Sequence, residues 1–301
     1  MDDSLAWFAG SATIALVAAV IARRLNIGFA LPVLAVGAVV GSLPVGPNAP
    51  LHPEVVLVAV LAPLVFGEAL GSSYLDIRRV SRPVLALAVG LVVVTTATVG
   101  FTVSWATSVP LALGIALGAI LAPTDAVAVA TIARKAALPR RLVSILEGES
   151  LVNDGTGLTA LRVAVIAGTA GSIALWQVGV VLLLSIAGGL LVGLVGGWLL
   201  ARIMAASRDV VASNALLLIA PFVIYLLAEE IEGSGILAVV IAALYAAHAQ
   251  TSDPRQIGRL HSGIVWRQVT FILQAFAFFV VGLEIPDTYF RLTLEQVRLV
   301  L

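Results

Sequence analysis

The chain contains no cysteine, which excludes disulfide frameworks, thiol catalysis and thiolate metal sites at once. Histidine is nearly as scarce. His52, His248 and His261 lie far apart in the sequence, so no zinc-type ligand cluster can be drawn, and nothing calls for a cofactor. Charge is also sparse: 11% of residues are Asp, Glu, Lys or Arg, against about 25% in a soluble domain. The 17 basic and 17 acidic residues cancel, and no Lys/Arg block with interleaved aromatics is present, so nucleic-acid binding is excluded as a function class. In place of charge there is hydrocarbon, since 60% of the 301 residues are hydrophobic.

Crossing about 30 Å of hydrocarbon takes about 20 apolar residues. Stretches of that kind predict ten helices over 4–22, 28–43, 54–73, 83–106, 110–133, 143–168, 173–203, 210–230, 234–250 and 263–285. The fold class is therefore an all-α polytopic membrane protein. Only Met-Asp-Asp precedes the first apolar run, and Arg23-Arg24 follow it with no small-residue cleavage site, so it reads as a retained helix and not a signal peptide. Residues 287–301 read as the approach to a further span, which makes the chain an expected single transmembrane domain, C-terminally incomplete.

Arg and Lys fix the expected orientation, because short cytoplasmic loops carry their excess. Arg23 and Arg24 follow the first span, Arg78, Arg79 and Arg82 the third, and Arg134, Lys135, Arg140 and Arg141 the fifth. Arg202 and Arg208 follow the seventh, and Arg255 and Arg259 the ninth. The even connections are neutral or acidic, with Glu229, Glu230 and Glu232 after the eighth span. The pattern predicts an extracellular N-terminus in the cell membrane.

Ionisable residues inside such spans are the informative ones, since a carboxylate at the bilayer centre costs about 2.5–3.5 kcal/mol on insertion scales. Asp125 lies two-thirds along the fifth span and Asp154 near the middle of the sixth. Pro123 cannot donate a backbone hydrogen bond and crowds the carbonyl of Ala119, so the fifth helix should open there. Opened carbonyls beside the Thr124 hydroxyl and the Asp125 carboxylate offer hard oxygen ligands of the kind Na⁺ or Li⁺ prefer. On the sixth helix Glu147, Ser150 and Asp154 share a face, with Arg162 eight residues beyond Asp154, while Glu149 and Asn153 form the adjacent stripe. A carboxyl group that holds either a proton or a metal cation, never both, meets the requirement of an obligatory exchanger. The structural alternatives are an Asp154–Arg162 ion pair and a capping role for Asp125. Glu147 lies nearer the cytoplasmic end, where a solvated role competes, and Arg162 reads as a partner that neutralises a nearby carboxylate. Most glycines report packing: Gly114 and Gly118, and Gly189, Gly193 and Gly197, recur at four-residue spacing.

Taken together, Ala122-Pro123-Thr124-Asp125-Ala126-Val127-Ala128 and Gly148-Glu149-Ser150-Leu151-Val152-Asn153-Asp154-Gly155 resemble the Thr-Asp crossover and the Asn-Asp helix of the monovalent cation:proton antiporters of the NhaP and sodium/proton exchanger type. Ser234–Val240 and Phe278–Leu283 extend the resemblance along the chain. It implies a thirteen-helix fold of two inverted six-helix repeats, a homodimer in the lipid membrane, and alternating access. It also implies antiport of Na⁺ (or Li⁺ or K⁺) against H⁺. Carried over by residue, Asp154 is the ion and proton carboxylate, Thr124, Asp125 and Ser150 help to form the cation site, and Asn153 and Glu149 belong to its supporting network, to which Glu147 and Arg162 are added. Electrogenic members have a second aspartate where this chain has Asn153, which implies electroneutral exchange. Ala126 replaces a common Pro, Glu68 is offset by one from the usual Phe-Glu-Ala pattern, and the family's later Arg and second broken helix do not occur before Leu301.

Rival readings fit less well. An intramembrane aspartyl protease needs Gly-x-Gly-Asp, where this chain has Val152-Asn153 before Asp154. A serine hydrolase needs Gly two residues after the nucleophile, where Ser150 is followed by Val152. A passive cation channel wants a ring of carbonyls or charges and not one carboxylate per chain.

Overall fold

The computed structural model describes residues 3–43, 53–124, 136, 138–169, 175–207, 209–251 and 256–291. The described secondary structure is helical throughout. In chain order the elements are α1 (Asp3–Arg24), α2 (Ala30–Gly41), α3 (53–71), α4 (Tyr74–Arg79), α5 (Ser81–Ala106) and α6 (Leu111–Leu121). They continue as α7 (Arg140–Thr169), α8 (Leu175–Ala206), α9 (Val210–Glu230), α10 (Gly235–Thr251) and α11 (Gln256–Arg291).

Nine of the ten expected spans recur as single helices with ends shifted by a few residues, the largest shift being the earlier start of α11. The fifth does not run on to 133 as one described helix. It stops at Leu121, with Ala122 N–H on Gly118 O at 3.0 Å, and the rest of that expected span lies outside the described residues. The cause is the one anticipated, Pro123, which has no N–H to continue the ladder. The short α4 was not anticipated. Ser73 caps it by accepting from the Asp76 N–H at 3.4 Å, and Asp76 pairs with Arg79 at 3.6 Å on an exposed surface. Both α3 and α5 carry one π-helical turn, Leu57–Leu61 and Ala86–Leu91, in otherwise α-helical segments.

Two compact units can be distinguished, Met1–Leu64 with Ile264–Leu301, and Val65–Gly263. In the first, Ala15, Ala19, Val33, Ala275 and Phe279 form a buried core. Phe29 meets Phe271 and Phe278 edge-on at centroid distances of 5.4 and 6.3 Å, an arrangement suited to the ring quadrupoles. Gly37, Gly41 and Gly282 let α2 and α11 approach until backbone meets backbone, leaving no room for a Cβ at any of the three.

The second unit holds the polar helix α7, which touches α4, α5, α6, α8 and α10. This enclosure explains how one helix can carry Glu149, Ser150 and Asn153, all buried, inside a membrane protein. The expected glycine stripes do pack: Gly114 faces Gly100 O and Gly118 faces Thr96 O across α5 and α6, while Gly189 faces Ser234, just before α10, and Gly193 and Gly197 face Ala238 and Ala242 within α10. Outward faces are the reverse of a soluble protein's. Val94, Phe101 and Trp105 on α5, and Leu183, Leu191 and Leu194 on α8, are exposed, as contact with lipid requires. Among the described residues four helices are long and apolar enough to cross a membrane, Ser81–Ala106, Gly179–Ala206, Val210–Glu230 and Gly263–Pro286, with shorter apolar helices at Ala30–Gly41, Leu57–Gly71, Leu111–Leu121 and Gly235–Ala249.

Candidate cation site

Where α6 stops, the chain extends through Pro123 and delivers Thr124 onto α7. Gly157 makes this approach possible: a Cβ there would lie 2.5 Å from Pro123 Cγ and 3.2 Å from Ala119 O. Thr124 then bridges the two stripes of α7. Its hydroxyl donates to Glu149 Oε2 at 2.9 Å, accepts from Asn153 Nδ2 at 2.9 Å, and lies 3.3 Å from Ser150 Oγ. Asn153 Nδ2 also donates to Glu149 Oε1 at 2.7 Å.

Proton counting fixes the direction of these bonds. A threonine hydroxyl has one proton, and with that proton on Glu149 the Ser150 contact must run from Ser150 to Thr124. The amide orientation of Asn153 follows as well, because turning it over would place Oδ1 against a carboxylate oxygen. Asn153 is completely buried, and among the described residues its Oδ1 has no hydrogen-bond partner. Glu149 and Ser150 are 4% and 1% exposed, so the α7 side of the cluster is removed from bulk solvent, while Thr124 is exposed. Asp154, next along α7, is half-buried, as is Glu147 two turns earlier.

The structure thus brings together Thr124, Glu149, Ser150 and Asn153, which sequence reasoning had divided between the cation site and its support. Asp125 lies outside the described residues. Arg162 is brought elsewhere than to Asp154. Its Nη2 donates to Glu229 Oε2 of α9 at 2.7 Å, and Glu229 Oε1 accepts the Gly235 N–H at 3.3 Å. The expectation that Arg162 neutralises a carboxylate therefore finds its partner in Glu229, a residue read from the sequence only as part of an acidic connection. Gly157 was also missed, although two glycines flanking Thr156 in the most polar helix were a visible signal.

The end of α6 before Pro123, a threonine hydroxyl and the polar face of α7 bring together oxygens of the hard kind that a monovalent cation takes. The profile of the family described as sodium/hydrogen exchanger, transmembrane, matches residues 11–301. The chain belongs to that family. It is 36% identical over 259 residues to a sodium, potassium, lithium and rubidium/H⁺ antiporter of Bacillus pumilus, covering 83% of this chain and 39% of that protein. It is 30% identical over 241 residues to the Na⁺/H⁺ antiporter ApNhaP of Aphanothece halophytica, covering 78% of this chain and 46% of the relative. The chain thus spans less than half the length of both. In fold it is similar to the sodium proton antiporter MjNhaP1 of Methanocaldococcus jannaschii at pH 8, with a TM-score of 0.73 and 20% identity over 93% of this chain and 69% of that one. As a member of the exchanger family with the NhaP fold, it is an integral multi-pass membrane protein.

Proposed function

We propose that this family member is a secondary active transporter that exchanges Na⁺, Li⁺ or K⁺ for H⁺, with cation and proton competing for Asp154. The observation that carries the reading is Thr124, presented by the broken end of α6 and hydrogen-bonded to the buried Glu149 and Asn153 of α7, one residue from Asp154. In this reading Thr124, Ser150 and Asp125 supply further cation ligands. Glu149 and Asn153 hold the Thr124 hydroxyl in place, and Glu147 belongs to the outer part of the network. The naming of the Bacillus pumilus relative for four alkali cations supports a site that admits more than Na⁺.

The test uses proteoliposomes of the full chain under an imposed pH gradient. Cation accumulation against its own gradient is expected of an exchanger; cation movement only down its own gradient would favour a passive channel and overturn the proposal.

Stoichiometry follows from the site. Asn153 cannot ionise, so with Asp154 as sole carrier one monovalent cation replaces one proton and no net charge moves. Under a potential set by a permeant-anion gradient, with no pH gradient and no gradient of any alkali cation, Na⁺-dependent proton movement should be independent of the sign of the potential. Movement that follows the sign would refute one-for-one exchange.

The orientation proposed is an extracellular N-terminus in the cell membrane, with the transporter acting as one domain and assembling as a homodimer. Single cysteines replacing Ser81 or Ala136 in this cysteine-free chain should resist an impermeant thiol reagent added to intact cells. Labelling of either from outside would reverse the topology.

A further inference from the structure

The Arg162–Glu229 pair does more than join two helices. Glu229 uses both carboxylate oxygens, one on the Arg162 guanidinium of α7 and the other on the first N–H of α10 at Gly235. The start of α10 is seated on α7 between Arg162 and Asp154. Thr159 Oγ1 lies 3.4 Å from Ser234 Oγ, and a Cβ placed on Gly155 would be 3.6 Å from Leu237 N and 3.8 Å from Ile236 Cγ2. The side chains of Arg162 and Glu229 are 43% and 29% exposed, so the pair is screened and adds little to folding stability. What it does control is charge. Arg162 lies two turns from Asp154 on the same helix, about 12 Å along the axis, and Glu229 cancels its field there.

Resting on the exchange reading above, we infer that Arg162 and Glu229 are a positioning pair that sets the apparent cation affinity of the Asp154 site, Glu229 neutralising a guanidinium that otherwise repels the entering cation. The two single substitutions then act with opposite signs. Glu229→Gln leaves Arg162 uncompensated; one charge at about 12 Å and an effective dielectric of about 20 corresponds to about a tenfold rise in the KM for Na⁺. Arg162→Gln leaves Glu229 uncompensated and lowers KM severalfold. Glu230 and Glu232, exposed in the same connection, are common to all variants and cancel in the comparison.

The experiment measures Na⁺-driven proton movement in proteoliposomes of the full chain against Na⁺ concentration, at low and high ionic strength set with choline chloride. The expected result is opposite KM shifts for Glu229→Gln and Arg162→Gln with little change in kcat, both shrinking at high ionic strength. The double variant should return to within about twofold of the parent, as mutual compensation requires. Shifts of the same sign, or a double variant worse than either single, would show a merely structural contact and overturn the inference. If a single variant fails to insert, the charge exchange Arg162→Glu with Glu229→Arg carries the test: a parental KM supports the pair, and a displaced KM refutes it. Absence of Asp154-dependent exchange in the parent chain would instead overturn the exchange reading itself.

Discussion

Replacing Asp154 by Asn should reduce exchange to the background of protein-free vesicles while leaving insertion and protein level unchanged. The substitution keeps size and shape and removes only the charge and the titratable proton. A neutral amide can neither release a proton at one face of the membrane nor balance a bound cation at the other. The hydrogen-bonded cluster of Thr124, Glu149, Ser150 and Asn153 does not include Asp154 among its bonds, so its geometry should survive the change. Loss of transport in a well-inserted protein is then a chemical loss. Asp125→Asn should be severe but incomplete, because Thr124 and Ser150 still offer oxygen ligands. Retention of pH-gradient-driven cation flux in the Asp154 variant would remove that residue from the carrier role.

What could be read from the sequence, and what could not, follows from the range of the forces involved. Span positions were legible because the cost of polar groups in hydrocarbon acts on every residue along the chain, and the ends of α1, α5 and α9 fall within two residues of expectation. The break before Thr124 was legible because proline acts locally on its own helix. Long-range pairing was not. Arg162 shares α7 with Asp154 and has Glu229 as a partner 67 residues away, and no periodicity within one helix can report a contact between two. The hydrogen bonding that joins the polar residues across the two stripes of α7 was not legible for the same reason. A helical-wheel argument separates Ser150 from Asn153, and only the arrival of Thr124 from another element joins them. Gly157 sits between these cases, visible as a glycine but without meaning until Pro123 is seen against it.

That contact allows a sharper test of the site's geometry. Two glycines, Gly155 and Gly157, lie on the same helix within one turn of Asp154, and the same substitution at each should have opposite outcomes. At Gly155 a new Cβ would find its nearest atoms at 3.6, 3.7 and 3.8 Å, ordinary van der Waals contact, so Gly155→Ala should preserve both insertion and exchange. At Gly157 the new Cβ would meet Pro123 Cγ at 2.5 Å and Ala119 O at 3.2 Å. Neither group can turn aside, since one belongs to a closed ring and the other to helix backbone, so the end of α6 must move away from α7. Overpacking of this kind costs about 1–3 kcal/mol, a moderate loss of stability. The functional loss should be greater, because Thr124 is the next residue after Pro123 and its bonds at 2.9, 2.9 and 3.3 Å weaken steeply with a displacement of a few tenths of an ångström. Gly157→Ala should therefore raise the KM for Na⁺ and depress transport in protein that still inserts, and Gly157→Val should abolish transport. Measured side by side in proteoliposomes, equal tolerance of alanine at 155 and 157 would show that the seating of Pro123 on α7 does not position the cation site.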